Sequence, residues 1–172
     1  MNSPIPVIDL QTWYHGDTAA RDALCERLRQ VCHEVGFFYL VNHGIAESVS
    51  AAYLDAIRAF FALPIEYKRA IDKRHSPQFR GWEQLGSELT NNQIDYREQI
   101  DIGVEALAID DPDPWYLALI GPNQWPDAAA LPGFRETVSD YFVRLSALSR
   151  QILRIMSRSL GLDDGHIEQV FG

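Results

Sequence analysis

Residues 36–44 read GFFYLVNHG, and this stretch organises the first half of the chain. Gly36 is placed to end a helix, because glycine adopts the left-handed backbone that follows a helix at little cost. The continuous apolar run 37–41 predicts a strand that is covered on both faces. A turn over residues 42–44 follows, and we expect His43 to bind backbone groups within it.

The segments on either side of this stretch predict one more strand and three helices. Residues 5–10 (IPVIDL) predict a short strand, and residues 18–35 predict a helix. A second helix begins near Ser48 and stops at Pro64. That proline suits the first turn of a short helix over residues 65–71.

The second half of the chain alternates irregular segments with one strand and one long helix. Residues 76–92 are polar and glycine-punctuated and predict a loop, whereas residues 96–103 predict a strand. Residues 108–132 hold five of the nine prolines and predict an irregular connection. Residues 133–160 predict the longest helix, and residues 163–171 predict one more short helix. The elements together predict a helix-rich α+β fold.

Apolar residues recur at helical spacing along the longest predicted helix, which indicates one buried face. They are Phe134, Val138, Tyr141, Leu145, Leu148, Ile152, Ile155 and Met156.

The composition is that of a globular protein. The 172 residues are 47% hydrophobic and 23% charged, which is enough for one domain over residues 1–172 to bury a core. The net charge of -9 disfavours nucleic acid, because phosphate binding requires clustered Lys and Arg. No apolar run reaches the roughly 18 residues that span a membrane, and the N-terminus lacks the regions of a signal peptide. We therefore expect a cytoplasmic protein without nucleic-acid or membrane partners.

The two cysteines are not expected to form a disulfide. Cys25 and Cys32 lie on the helix predicted for residues 18–35, about 10 Å apart along its axis. A disulfide requires Cα atoms within about 7 Å, so an intact helix keeps these thiols apart.

Eight short motifs follow one another along the chain: IPVIDL (5–10), GFFYLVNHG (36–44), FFALPIEYK (60–68), RGW (80–82), DYREQIDIG (95–103), NQWP (123–126), FR (134–135) and LGL (160–162). In this order and at this spacing they resemble the N-terminal domain of the isopenicillin N synthase-like family. These are non-haem Fe(II) and 2-oxoglutarate-dependent oxygenases. Most of the motifs mark strands, turns and helix ends, so they indicate a fold more directly than a chemistry.

The resemblance implies a helix-rich N-terminal region that flanks a double-stranded β-helix, or jelly roll. In the family, two histidines and one carboxylate hold Fe(II), and an Arg-x-Ser beyond the distal histidine binds 2-oxoglutarate. This sequence ends before those positions. The resemblance thus implies Fe(II) and 2-oxoglutarate for the complete enzyme, and no catalytic, cofactor-binding or metal-ligating residue in this chain. We expect the truncated N-terminal part of an oxidoreductase, inactive alone, whose complete form acts on a small molecule.

One set of residues imitates the missing iron site. Residues 15–17 form a literal His-x-Asp, and residues 74–76 form a literal Arg-x-Ser around His75. We reject this set because His15 is expected in a loop before a helix that Asp17 caps. A pair of metal ligands needs a rigid strand and supporting hydrogen bonds to orient it.

The segment 79–98 borders the substrate pocket in related enzymes. Its candidate substrate-contacting residues are Arg80, Trp82, Glu88 and Thr90, a combination of charge, aromatic surface and hydrogen-bonding groups that suits a small polar substrate. The structural alternative is that Trp82 packs in the core and Arg80 pairs with Glu83 or Glu88. Glu98 and Asp101 are expected to be structural partners of Arg97 or of backbone groups.

Three interpretations stay open at the level of sequence. The first is the incomplete dioxygenase, and the second is a stand-alone, non-catalytic binding module derived from that family. The third is a different metal enzyme that uses His15, Asp17 and His75. Without the barrel strands, the chain is also expected to self-associate through exposed strand edges. The substrate, and the choice between hydroxylation, desaturation and ring closure, are not specified by the sequence.

Overall fold

The computed structural model describes residues 5–87 and 89–171. The fold is α+β, as predicted, and about half of it is helical. The helices are α1 (Gln11–His15), α2 (Thr18–Glu34), α3 (Glu47–Phe61), α4 (Ile65–Arg69), α5 (Phe134–Ser159) and α6 (His166–Phe171). The strands are β1 (Val7–Asp9), β2 (Tyr39–Val41), β3 (Gly81–Glu83), β4 (Leu89–Thr90), β5 (Gln93–Ile94) and β6 (Gln99–Asp101). Lys73–His75 and Trp115–Leu119 form 3₁₀ turns.

The strands are short and pair two by two. Within the described ranges they form three two-stranded sheets, β1 with β2, β3 with β6 and β4 with β5, and none closes into a barrel. No helix in those ranges is both long and apolar enough to cross a bilayer. The chain divides into two compact units, residues 1–51 with 139–172, and residues 52–138.

The first unit packs β1, β2, α2 and the end of α5 around one core. β1 and β2 are parallel, with Ile8 opposite Leu40. The core residues are Ile8, Leu10, Leu24, Cys25, Leu28, Val31 and Ile155. Both cysteines are free, as predicted, and burial raises the pKa of the Cys25 thiol.

Helix α2 begins and ends where the sequence predicts. The Asp17 side chain accepts a hydrogen bond from the Ala20 N–H at 2.9 Å, which satisfies one free donor of the first turn. Gly36 has a φ of +85° and donates its N–H to the Val31 carbonyl. His15 was expected in a loop, and this was wrong, because it is the last residue of α1.

The prediction that the strand over 37–41 is covered on both faces was also wrong. Phe38 and Leu40 pack against the first core, whereas Phe37 and Tyr39 are 58% and 61% exposed. The reason is that, in the part of the chain described, the first core packs on only one face of the β1–β2 sheet. The apolar side chains of β2 therefore alternate between a buried face and an open one.

The second unit packs β3, β6, the end of α3 and the start of α5 around Phe60, Ile71, Trp82, Phe134 and Val138. β3 runs antiparallel to β6, with Trp82 opposite Ile100. The loop predicted for residues 76–92 is thus partly wrong, because it contains β3 and β4. The turn between β4 and β5 is formed by Asn91 and Asn92, both with positive φ, a conformation that asparagine tolerates in tight hairpins.

Helix α5 matches its predicted bounds closely. Gly133 and Gly161 flank it with φ of +75° and +72°. Phe134 and Val138 are buried in the second unit, and Ile155 is buried in the first. The predicted buried face is wrong at Leu145, which is exposed.

Candidate functional site

A groove of about 940 Å³ lies in the second unit, and we call it the 72–87 groove. One wall comes from residues that follow α4 and form the next 3₁₀ turn, and the other comes from the end of β3 and the loop after it. Its lining residues are Asp72, Lys73, Arg74, Ser76, Pro77, Phe79, Glu83, Gln84, Leu85, Gly86 and Ser87. The last six of them fall in the predicted substrate-bordering segment 79–98.

The first wall carries a short-range ion pair between Asp72 and Arg74. Asp72 Oδ1 accepts from the Arg74 Nε and backbone N–H at 2.9 Å, and Oδ2 accepts from Arg74 Nη2 at 2.8 Å. Asp72 itself is buried. The hydrogen bonds from Arg74 outweigh this burial and lower the pKa of Asp72 to about 2. This wall of the groove therefore carries the ionised Asp72 carboxylate, both of whose oxygens accept hydrogen bonds from Arg74.

A second charged cluster joins the two walls, because Lys73 of the first wall reaches Glu83 of the other. Lys73 Nζ lies 2.8 Å from Asp101 Oδ2 and 3.2 Å from Glu83 Oε2. Glu83 also accepts from Gln99 Nε2 at 2.8 Å and from Ser87 Oγ at 3.1 Å. Burial acts to raise the pKa of Glu83, but the bonds from Gln99, Lys73 and Ser87 outweigh it and lower that pKa. An ionised carboxylate with so many donors is poorly suited to act as a general acid.

A buried polar cluster of three residues lies behind β3, on the side away from Glu83. Lys68 is 7% exposed, and its Nζ donates to Glu98 Oε1 at 2.7 Å and to the Phe61 carbonyl at 3.0 Å. Trp82 Nε1 donates to the same Glu98 oxygen at 2.7 Å. The cluster ties α4, the end of α3 and β3 together.

The expected partners of Glu98 and Asp101 were wrong. Glu98 binds Lys68 and Trp82 instead of Arg97, and Asp101 binds Lys73. No local signal in the sequence pairs Lys68 with Glu98, since thirty positions separate them. Only the tertiary fold, which places Lys68 and Trp82 beside the same Glu98 oxygen, brings them together.

The predicted substrate-contacting residues differ in their surroundings. Trp82 is 1% exposed and belongs to the second core. Thr90 lies in β4 opposite Gln93, and Glu88 lies outside the described residues. Contact of these residues with a substrate stays a prediction.

Arg80 is half-buried and bonds to backbone groups. Its Nη1 donates to the Gln78 carbonyl at 3.0 Å and its Nη2 to the Leu119 carbonyl at 3.5 Å, so the expected pairing with Glu83 does not form. The guanidinium lies against Gly103, where an added Cβ would approach Nη2 to 2.5 Å. Arg80 Nε is buried without a hydrogen-bond partner in the ranges described.

None of the described lining residues of the groove is among the four predicted substrate-contacting residues, and those missed include Lys73, Phe79 and Leu85. The Ser76-Pro77 pair was a usable signal for a turn before Phe79, because proline favours the second position of a turn. The groove itself had no such signal, because its walls come from segments on both sides of a strand that was not predicted.

In the set of residues that imitates the iron site, both segments, 15–17 and 74–76, contain residues with structural roles. Asp17 caps α2, Arg74 binds Asp72, and His75 ends a 3₁₀ turn in the second unit. Across the described residues, no three His, Cys, Asp or Glu side chains are grouped so as to hold a metal ion. These donors do not fit ferrous iron, and we derive no catalytic step through it. His43 Nδ1 accepts from the Ile45 N–H, which confirms its predicted role in the turn.

Comparison with known proteins defines the class. The family model described as non-haem dioxygenase in morphine synthesis N-terminal matches residues 5–128. The chain therefore belongs to the N-terminal region of the non-haem Fe(II) and 2-oxoglutarate oxygenase family, and the resemblance seen in its motifs is confirmed.

Named relatives agree with this class. The chain is 35% identical to the 2-oxoglutarate-dependent dioxygenase frbJ of Dothideomycetidae sp., over 97% of this chain and 44% of that protein. It is 32% identical to the 2-oxoglutarate-Fe(II) type oxidoreductase hxnY of Emericella nidulans, over 95% of this chain and 48% of that protein. The chain thus spans about half the length of the curated relatives it matches.

A solved structure shows the same fold. A full-length protein of Neurospora crassa, crystallised in complex with alpha-KG, matches with a TM-score of 0.77 and 26% identity, over 95% of this chain and 50% of that chain.

Proposed function

We propose that this chain is the N-terminal part of a dioxygenase that uses Fe(II) and 2-oxoglutarate to oxidise a small-molecule substrate. The observation that supports this most strongly is the 35% identity to a 2-oxoglutarate-dependent dioxygenase over 97% of the chain. In this proposal residues 1–172 act as one N-terminal domain beside a double-stranded β-helix.

The iron and 2-oxoglutarate sites would be supplied by residues outside this chain. The supporting observation is that, in the set that imitates the iron site, Asp17 already caps α2 and Arg74 is already paired with Asp72. We therefore propose that residues 1–172 alone catalyse no oxidation. Their contribution is the 72–87 groove and the core that holds it.

The first experiment tests whether residues 1–172 alone bind a metal ion or 2-oxoglutarate. Purified chain is titrated anaerobically by calorimetry with Mn(II) in place of Fe(II), with and without 2-oxoglutarate. We expect no stoichiometric binding at micromolar concentrations. A site that binds Mn(II) and is lost in His15→Ala would support the different metal enzyme.

The second experiment separates the dioxygenase from a stand-alone binding module. The reading frame after codon 172 is sequenced and, where it is open, the longer product is assayed for succinate formation from 2-oxoglutarate. We expect an open frame that encodes His-x-Asp and a product that forms succinate. A stop codon at this point in the native gene would support the non-catalytic module.

A further inference from the structure

The backbone at Phe79 has a conformation that an aromatic residue rarely adopts. Residues 76–79 form a turn in which the Phe79 N–H donates to the Ser76 carbonyl at 3.1 Å. Phe79 has a φ of +57°, in the left-handed region. Glycine is favoured at the last position of such a turn, because a bulky side chain there is strained.

Burial of the Phe79 side chain does not offset the free-energy cost of its backbone conformation. It is 61% exposed and belongs to neither buried cluster of the described residues. Neither the backbone preference nor the hydrophobic effect within this chain explains a phenylalanine at this position. Residues with strained backbone conformations are concentrated at active sites and ligand-binding sites.

Phe79 lines the 72–87 groove together with two other apolar side chains, those of Pro77 and Leu85. Leu85 is also exposed. The charged lining residues are already paired, Asp72 with Arg74 and Lys73 with Glu83. What the groove offers a ligand is therefore apolar contact rather than an unpaired charge. Its volume of about 940 Å³ falls in the range of small-molecule sites.

We propose that Phe79, with Pro77 and Leu85, binds an uncharged aromatic ring of a small-molecule ligand in the 72–87 groove. Offset or edge-to-face contact with an aromatic ring and the loss of exposed apolar area provide the affinity. The proposal rests on the proposed function in one respect, since it takes this ring to belong to the substrate of the dioxygenase.

Indole is the probe, because it is an uncharged aromatic ring whose one polar group is a single N–H donor. The isotope-labelled chain is titrated with indole by NMR, without iron or 2-oxoglutarate. We expect saturable shifts of backbone amides in residues 76–87. Phe79→Gly should raise the Kd about tenfold or more, and Phe79→Asn, which also tolerates positive φ, should do the same.

Stability gives an independent readout on the same variants. Phe79→Gly should raise the midpoint of urea unfolding, because glycine relieves the strained backbone. Phe37 is the matched control, since it is 58% exposed and does not have positive φ. Phe37→Gly should lower the midpoint and leave the indole shifts in residues 76–87 unchanged.

Three results would overturn the proposal: no saturable shift in residues 76–87 at millimolar indole, indole binding retained in Phe79→Gly, or a lower unfolding midpoint for Phe79→Gly. Failure of the proposed function would be seen separately, as an absence of succinate formation by the longer product, because the indole titration requires no cofactor.

Discussion

At the scale of single residues, two carboxylates differ in how far along the sequence their bonding partners lie. Asp72 is bonded by Arg74, two positions away, and its pKa is lowered to about 2. Glu98 is bonded by Lys68, which is distant in sequence and buried. The first pair stabilises one wall of the groove locally, and the second holds separate elements together.

The Asp72–Arg74 pair predicts a specific dependence of stability on pH. Because the pKa of Asp72 in the folded chain lies below its ordinary value of 3.8, the pair stabilises the fold fully above about pH 4. This stabilisation is lost as the pH falls towards about 2. Arg74→Met should raise the pKa of Asp72, measured by NMR titration of its carboxyl carbon. The difference in unfolding free energy between wild type and variant should vanish at the acid end.

A matched control is Arg58→Met, which breaks an exposed pair with Asp55. We expect it to change the unfolding free energy by less than about 0.5 kcal/mol. An unchanged Asp72 titration in Arg74→Met would show that Arg74 does not cause the shift.

Glu98→Gln tests the buried cluster with little change of shape. The amide still accepts a bond from Trp82 Nε1, but Lys68 loses its counter-charge in a buried position. We expect a loss of about 1–3 kcal/mol in unfolding free energy, measured by urea denaturation. Glu26→Gln, in an exposed pair with Arg29, should cost about 0.5 kcal/mol or less. Equal effects of the two variants would contradict the structural role of Glu98.

At the scale of elements, the helices follow from the sequence more closely than the strands do. The bounds of α2 and α5 are determined by Asp17, Gly36, Gly133 and Gly161, each of which acts within one turn of the helix end. The strands β3 and β4 were missed because their short segments show no clear alternation. Pairing across the chain, rather than local preference, makes them strands.

The buried face of α5 gives a testable contrast within one helix. Ile155 is fully buried in the first core, so Ile155→Ala should cost about 2–5 kcal/mol of unfolding free energy. Leu145 is exposed on the same helix, so Leu145→Ala should cost less than about 1 kcal/mol. Chemical denaturation of both variants provides the measurement. A large effect at Leu145 would show that this residue is covered in solution.

At the scale of the whole molecule, the chain has two cores, and one of them is flanked by an open apolar surface. Val7, Phe37 and Tyr39 project from the β1–β2 sheet and are more than half exposed. β2 uses one edge to pair with β1, and in the described part of the chain its other edge has no strand partner. Such an edge beside apolar side chains favours association with another chain.

We therefore predict that the chain self-associates through β2. Sedimentation over a concentration series should show oligomers that dissociate on dilution. Tyr39→Lys should shift the equilibrium towards monomer, because a charged side chain disfavours edge-to-edge pairing. Tyr96→Lys, at another exposed tyrosine, is the control and should have no effect. A wild-type chain that stays monomeric at about 100 µM, a concentration at which weak micromolar association is visible, would contradict the prediction.

The sequence by itself determined the family, the α+β class and the ends of the long helices. The family follows from the order of short motifs along the chain, and the helix ends depend on residues within a few positions, such as the Asp17 cap and the glycines after α2 and α5. Only the tertiary structure decided the partners of Glu98, the exposed face of β2 and the 72–87 groove. Each of these depends on which distant segments pack together, and Lys68 reaches Glu98 only because the fold places α4 beside Trp82 and the start of β6. The groove likewise exists only because two segments on either side of β3 face each other, an arrangement that no local pattern of residues encodes.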